Sequence, residues 1–232
     1  MDGKSYIDNL FYDIGRYTLL TTDTNLRIIA LAWANRVIKD ISSRKPHWVW
    51  LEKTSSFPTV IDQVSYDLPT DIDLSGRKVV SVRQTSTPAK LVYVSQHRMD
   101  ELEADPTVSS GNPLFYTLWS SYIRLFPMPS AVITMYMRYI KTITPLTDSA
   151  VSTTDIPDKF SEVVLDGMKV HAFRMFPKWG DSNAQKVIYE QGILRMIEDD
   201  NAEIDADNIS GAHIPGNDGL IPPYHFDNTN VG

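Results

Sequence analysis

The feature that most constrains the fold of this chain is the order of its hydrophobic patterns, which are helical towards both ends and strand-like between them. Apolar residues recur at helical spacing in residues 4–16 and 24–43, and again in residues 157–177 and 182–197. Between them, residues 48–139 carry short runs of β-branched and aromatic residues, which are typical of strands. Because neither pair of helices can bury its apolar stripe alone, the sequence predicts an α+β fold, in which a four-helix bundle frame carries an inserted antiparallel β domain.

The boundaries follow from the same patterns. Residues 1–46 form the first half of the helical domain, residues 47–144 the inserted β domain, and residues 145–200 the second half of the helical domain. Residues 201–232 are rich in Gly, Pro, Asn and Asp without sustained periodicity, and they predict an extended acidic C-terminal tail.

The centre of the β block is residues 119–139. Residues 122–126 and 132–139 have strand character and are separated by Pro127 and Pro129, which predicts two antiparallel strands joined by a short turn. We expect them to complete a sheet of about six strands. The other predicted strand segments are residues 48–51, 58–61, 63–68, 78–83, 90–94 and 114–119.

Charge is distributed unevenly. The chain has a net charge of −7, and eight acidic residues but no Lys or Arg follow Arg195. The body, residues 1–195, is therefore close to neutral, which argues against a protein that grips DNA through its phosphates. A solvated and partly disordered end is the simplest interpretation of the acidic tail.

Composition excludes further classes. Because cysteine is absent, disulfides and thiolate metal sites are excluded. Residues 1–4 do not begin a secretory signal, and the longest aliphatic run, residues 28–34, is far shorter than the roughly 20 residues of a membrane span. We expect a soluble protein made in a reducing compartment, without membrane contact.

The sequence contains no motif that points to catalysis. It has no Gly-x-Ser-x-Gly elbow, no phosphate-binding loop and no dinucleotide fingerprint, and its histidines lack the spacing of a zinc site. His171 is more consistent with a helix-surface or packing residue than with a ligand. We therefore predict that the protein is not an enzyme and has no catalytic, cofactor-binding or metal-binding residues.

The aromatic residues of the β block allow two interpretations. Trp48, Trp50, Tyr116, Trp119 and Tyr122 could form a sugar-binding platform. Their alternation within strands favours packing in a core or an interface instead.

An ordered series of short motifs runs through the β block. The series is Trp48-x-Trp50, Tyr66-x-Leu68-Pro69, Gly111-x-Pro113-x-x-Tyr116, Leu125-x-Pro127-x-Pro129 and Tyr136-x-x-x-Ile140. Set within a helix–β–helix frame, over roughly residues 5–200, it resembles the head-to-tail connector (adaptor or neck) proteins of tailed phages, of the tail tubular protein A type.

That resemblance implies a structural role in the virion. Such adaptors form a homo-oligomeric ring, usually a dodecamer, beneath the portal protein, at the neck where head meets tail. Their β insertion faces outward or toward downstream tail, nozzle or fibre proteins, and DNA passes through the bore without sequence-specific binding. The resemblance also implies synthesis in the host cytoplasm and no catalytic residue.

The tail carries scattered apolar residues that are typical of a segment that docks on a partner. We expect portal docking by Ile214, Leu220, Ile221, Pro222, Pro223, Tyr224 and Phe226. Two other functions remain open at this point: another tail or baseplate component, and a carbohydrate- or receptor-binding β module.

Overall fold

The structure, a computed structural model, describes residues 1–16, 18, 23–73, 79–85, 90–104 and 110–212, with the backbone alone for Trp179 and residues 203–212. The helices are α1 (Gly3–Asp13), α2 (Thr24–Ser43), α3 (Gln96–Glu103), α4 (Ser161–Met175) and α5 (Ser182–Ala212). The strands are β1 (Glu52–Pro58), β2 (Ser65–Asp67), β3 (Val79–Gln84), β4 (Val92–Tyr93), β5 (Ser110–Gly111), β6 (Phe115–Trp119), β7 (Tyr122–Phe126), β8 (Met128–Pro129) and β9 (Thr134–Ile140).

Two of the long helices begin just after an aspartate whose carboxylate caps the helix. The Asp23 carboxylate accepts a hydrogen bond from the backbone N–H of Asn25 at 3.0 Å, ahead of α2. The Asp181 carboxylate accepts from the backbone N–H of Asn183 at 2.8 Å, ahead of α5. Each carboxylate satisfies an N–H group that has no partner within its helix.

The four long helices share one apolar core. α4 contacts α1, α2 and α5, and α1 also contacts α2. All four contribute buried apolar side chains to this core, among them Tyr6, Leu10, Phe11, Trp33, Ile38, Ile41, Val164, Met168, Tyr189 and Met196. With the strands between α2 and α4, this arrangement makes the fold α+β, as predicted.

Gly167 lets three helices approach one another closely. A Cβ atom at this position would lie 2.6 Å from Cγ1 of Val37 on α2 and 2.8 Å from Cε2 of Tyr189 on α5. Because both distances are shorter than any ordinary van der Waals contact, only glycine fits here without displacing a neighbour. Gly167 therefore permits the close packing of α2, α4 and α5.

The strands form three sheets, ordered β1-β9-β3, β2-β7-β6-β4 and β5-β8. A second apolar cluster, separate from the helical core, includes Tyr66, Val82, Ile123, Leu125 and Met137 from the two larger sheets. The expected sheet of about six strands is therefore wrong. Pairing is antiparallel except between β4 and β6 and between β5 and β8, which run parallel.

The predicted hairpin across residues 119–139 is also wrong. Both strands exist, but β7 pairs with β2 and β6, whereas β9 pairs with β1 and β3. Between them, the Phe126–Pro127 bond is cis and β8 pairs with β5, so the segment carries the chain from one sheet to another. The true hairpin joins β6 to β7 through Ser120 and Ser121.

Two shorter strand predictions fail for local reasons. Val49–Leu51 is a 3-10 turn, closed by a hydrogen bond from Leu51 N–H to the Trp48 carbonyl at 3.1 Å. Trp48 packs in the helical core rather than in a sheet. Residues 59–61 follow β1, which ends at Pro58, because proline supplies no N–H to a strand ladder.

The start of the predicted extended tail is helical. α5 continues past Asn201 to Ala212, so residues 201–212 belong to the helix rather than to an extended segment. A helix already nucleated at Asp181 gains one hydrogen bond for each added residue, which allows it to run through a stretch with no apolar periodicity. Residues 213–232 lie outside the described residues.

Candidate assembly surfaces

The residues predicted to dock on a partner cannot be placed. Ile214, Leu220, Ile221, Pro222, Pro223, Tyr224 and Phe226 all lie outside the described residues. The candidate surfaces that the structure does place are a cleft between helices, the junction between the helices and the β segment, and the tip of the β6–β7 hairpin.

The cleft lies where α2, α4 and α5 meet and has a volume of about 240 Å³. We call it the helical cleft. Its lining side chains are mostly charged or polar and come from all three helices: Arg36, Asp40 and Arg44 from α2, His171 and Arg174 from α4, and Lys186, Tyr189 and Glu190 from α5.

Part of the lining of the helical cleft is a hydrogen-bond network. The buried Tyr189 hydroxyl donates to Oδ2 of Asp40 at 2.8 Å. Arg44 donates from Nη2 to the same Asp40 oxygen and to Oε1 of Glu190, each at 3.0 Å. Burial and the Asp40 carboxylate raise the pKa of Tyr189 well above its usual range, so the hydroxyl stays neutral and acts as a donor.

Three further cations line the cleft, one from each helix. Arg36, Arg174 and Lys186 are exposed, and none of them forms an ion pair with a residue that the structure describes. Burial, followed by the nearby positive charges of Arg36 and Arg174, lowers the pKa of His171. His171 is therefore neutral at neutral pH, and the three unpaired cations give the cleft a positive field that suits an anion.

The junction between the helices and the β segment is held by two carboxylates. Asp200 on α5 is 3% exposed and binds the Lys45 ammonium and the backbone N–H of Val49, the latter at 3.0 Å. Asp155 binds the Lys141 ammonium and accepts from the backbone N–H of Thr144 at 2.9 Å. Each carboxylate fixes one of the two chain segments that link the strands to the helices.

The tip of the β6–β7 hairpin presents aromatic side chains to solvent. Trp119 and Tyr122 face each other across the strands and are 55% and 44% exposed. Trp48 lies in the helical core and Tyr116 in the β cluster, both buried. The five aromatic residues considered for a sugar platform therefore do not form one surface.

A search of the described residues finds no group of three or more His, Cys, Asp or Glu side chains that could hold a metal ion. His47 contacts Glu52 at 2.6 Å, and His97 contacts Glu101 on α3 at 3.3 Å. His213 and His225 lie outside the described residues. Among the helices that the structure describes, none has the length and apolarity needed to cross a membrane.

The sequence motifs did not reveal the helical cleft. Arg36, Asp40 and Arg44 recur every four residues on α2, which marks one helix face but does not show what packs beside it. The close approach at Gly167 brings His171, Arg174 and Tyr189 to that face. The cleft thus depends on a contact among three helices, which the residue spacing on any one helix does not predict.

Comparison with known proteins gives one result that bears on identity. No curated protein matches the chain. The SU10 adaptor protein family matches residues 7–214, which include all five helices, apart from the first residues of α1, and all nine strands. This match confirms the resemblance to phage head-to-tail adaptors, and the chain belongs to the SU10 adaptor protein family.

Proposed function

We propose that the chain is a structural subunit of a phage neck, where copies of it form a ring between the portal and the tail. The observation that carries this proposal is the family match across both helical halves and the β segment. In this proposal the protein is not an enzyme, and DNA passes through the bore of the ring without sequence-specific contacts.

The division of the apolar residues supports a frame-and-insertion architecture. In the proposal, residues 1–46 and 145–200 form a four-helix bundle frame, and residues 47–144 form an inserted domain. The helical core and the β cluster are separate groups of buried residues, as two such units require. The carboxylates of Asp155 and Asp200 would hold the insertion at a fixed angle to the frame.

In this proposal, the bundle frame, the C-terminal tail and the β domain each contact a different partner. The bundle frame contacts neighbouring copies in the ring, for which a dodecamer is the expected size. The tail from residue 213 docks on the portal through Ile221, Tyr224 and their apolar neighbours. The β domain, whose hairpin tip exposes Trp119 and Tyr122, faces the downstream tail, nozzle or fibre proteins. Exposed aromatic side chains are typical anchors of protein interfaces.

Mixing the chain with the portal protein of the same phage tests the proposal. Size-exclusion chromatography with light scattering should show the chain eluting with the portal ring, in a constant ratio of copies. A tail or baseplate component would not join the portal, and a carbohydrate-binding module would bind glycans as a monomer. Failure to bind the portal under conditions in which both proteins are folded would contradict the proposal.

A further inference from the structure

We infer that the helical cleft binds the acidic segment 203–207 of a second copy of this chain. The inference rests on the ring proposed above and names one contact that would join neighbouring copies. It starts from the three cations of the cleft that have no ion-pair partner among the described residues, Arg36, Arg174 and Lys186.

Elsewhere in the part of the chain that the structure describes, many cations are paired within the chain. Arg27 binds Asp8 and Asp148, and Arg124 binds Glu103. In the helical cleft, the acidic residues Asp40 and Glu190 are already bound by Arg44, and Asp40 also accepts from Tyr189. The two carboxylates are therefore occupied, whereas Arg36, Arg174 and Lys186 line the same cleft without an ion pair to a described residue.

The hydrogen-bond network also preorganises the cleft for a carboxylate. Arg44 and Tyr189 are held by hydrogen bonds, and the close helix approach at Gly167 fixes the spacing of the walls. A carboxylate that enters would meet groups already in position, which lowers the entropic cost of binding.

The chain itself supplies a ligand of matching charge. No Lys or Arg follows Arg195, and Glu203, Asp205 and Asp207 place three carboxylates within five residues. Asp199 and Asp200, which precede them, already form ion pairs, the first with Lys159 and the second with Lys45. Glu203, Asp205 and Asp207 are the next acidic residues along the chain.

Helix geometry requires the contact to be made between two copies. Glu190 lines the cleft and Glu203 lies 13 positions later on the same helix, α5. At 1.5 Å per residue, the two positions are about 20 Å apart along the helix axis, so a chain cannot place this segment in its own cleft. A head-to-tail contact, in which each copy gives its acidic segment and receives another, generates a ring when the rotation between successive copies closes.

The test uses the full chain and a fluorescent peptide of residues 201–212, followed by anisotropy at low ionic strength. We expect saturable binding that weakens as salt is added. The triple variant Arg36→Ala, Arg174→Ala, Lys186→Ala should bind the peptide about tenfold more weakly, since three partly exposed ion pairs are lost. Circular dichroism confirms that the variant is folded, which exposed positions permit.

Two controls separate this site from general charge attraction. The variant Lys4→Ala, Lys90→Ala, Arg195→Ala loses the same charge at exposed positions away from the cleft and should bind as the original chain does. A peptide with Glu203→Gln, Asp205→Asn and Asp207→Asn should not bind.

Three results would overturn the inference: no saturable binding, equal loss in both triple variants, or equal binding of the neutral peptide. The assay contains no portal protein. Its failure would therefore remove the helical cleft as a contact and leave portal binding, the test of the proposed function, unaffected.

Discussion

Single residues account for the tightest packing in the helical core, and Gly167 is the clearest case. Gly167→Ala would place a methyl group within 2.6 Å of Val37 and 2.8 Å of Tyr189. Since both neighbours are buried, the helices must move apart, and we expect a loss of about 1–3 kcal/mol in the free energy of unfolding. Urea denaturation measures this loss. Gly15→Asn serves as a control, because Gly15 has a φ of +66° and open space around it, and asparagine tolerates that φ. An unchanged midpoint for Gly167→Ala would contradict the close three-helix contact.

Arg27 ties α1 and α2 to the segment after the last strand. Its guanidinium makes two hydrogen bonds to Asp148, at 2.9 and 2.7 Å, and one to Asp8 at 2.9 Å. These bonds from Arg27 lower the pKa of Asp148 below its usual 3.8. The stability that Asp148 contributes is therefore present above pH 3.8 and is lost as pH falls through the lowered pKa.

Asp148→Asn should test this pH dependence. At pH 7 we expect a loss of about 1 kcal/mol in the free energy of unfolding, a modest value because the pair is partly exposed. The difference from the original chain should shrink as pH falls below 3.8. Denaturant titrations at several pH values measure it, with Asp67→Asn as a control, since exposed Asp67 forms no ion pair with a described residue. A difference that stays constant down to pH 2 would contradict the ion pair.

At the scale of the elements, Asp200 joins α5 to the start of the β segment. Asp200→Ala would leave the Val49 N–H without its partner and the half-buried Lys45 ammonium without its carboxylate, with only the Asn201 side-chain oxygen at 2.7 Å remaining. We expect a loss of about 2–4 kcal/mol, because both groups are desolvated. Asp199→Ala is the matched control, since Asp199 pairs with Lys159 at the surface and its loss should cost less than about 1 kcal/mol. Thermal unfolding of the two variants should rank them in this order, and equal losses would contradict a structural role for the junction.

The helices were easier to predict from sequence than the partners of the strands. Helix stripes are local, so the apolar spacing identifies α1, α2, α4 and α5. Strand pairing is not local. The alternation in residues 122–126 and 132–139 identifies β7 and β9, but it carries no information on which strands they join. The prolines between them end one sheet and begin the next, whereas the sequence pattern suggested a turn.

The candidate surfaces were predicted less well for a related reason. The sequence pointed to apolar tail residues, and these lie outside the described residues. It did not reveal the helical cleft, because Arg36, Arg174 and Lys186 come from three separate helices. Each is an ordinary surface cation when its own helix is considered alone, and the group of three cations forms only once the helices pack.

At the scale of the whole molecule, we expect portal binding and folding to depend on different parts of the chain. A chain that ends at Ala212 keeps α5 entire and lacks every residue predicted to dock on the portal. We expect its melting temperature to match that of the full chain, and its binding to the portal ring to be lost. Tyr224→Ala should weaken binding and Asn230→Ala should not, with both measured by co-elution with the portal. Full portal binding by the shortened chain would contradict the assignment of the tail.

The most direct test of the account is an electron-microscopy reconstruction of the neck of the native phage particle. The proposal predicts a closed ring of this chain between portal and tail, with the helical frame forming the ring and the β domain turned toward the tail or its fibres. It also predicts that the helical cleft of each copy lies against residues 203–207 of the next. A neck reconstruction that contains no copy of this chain, or that places the chain only in the distal tail or baseplate, would contradict the central claim.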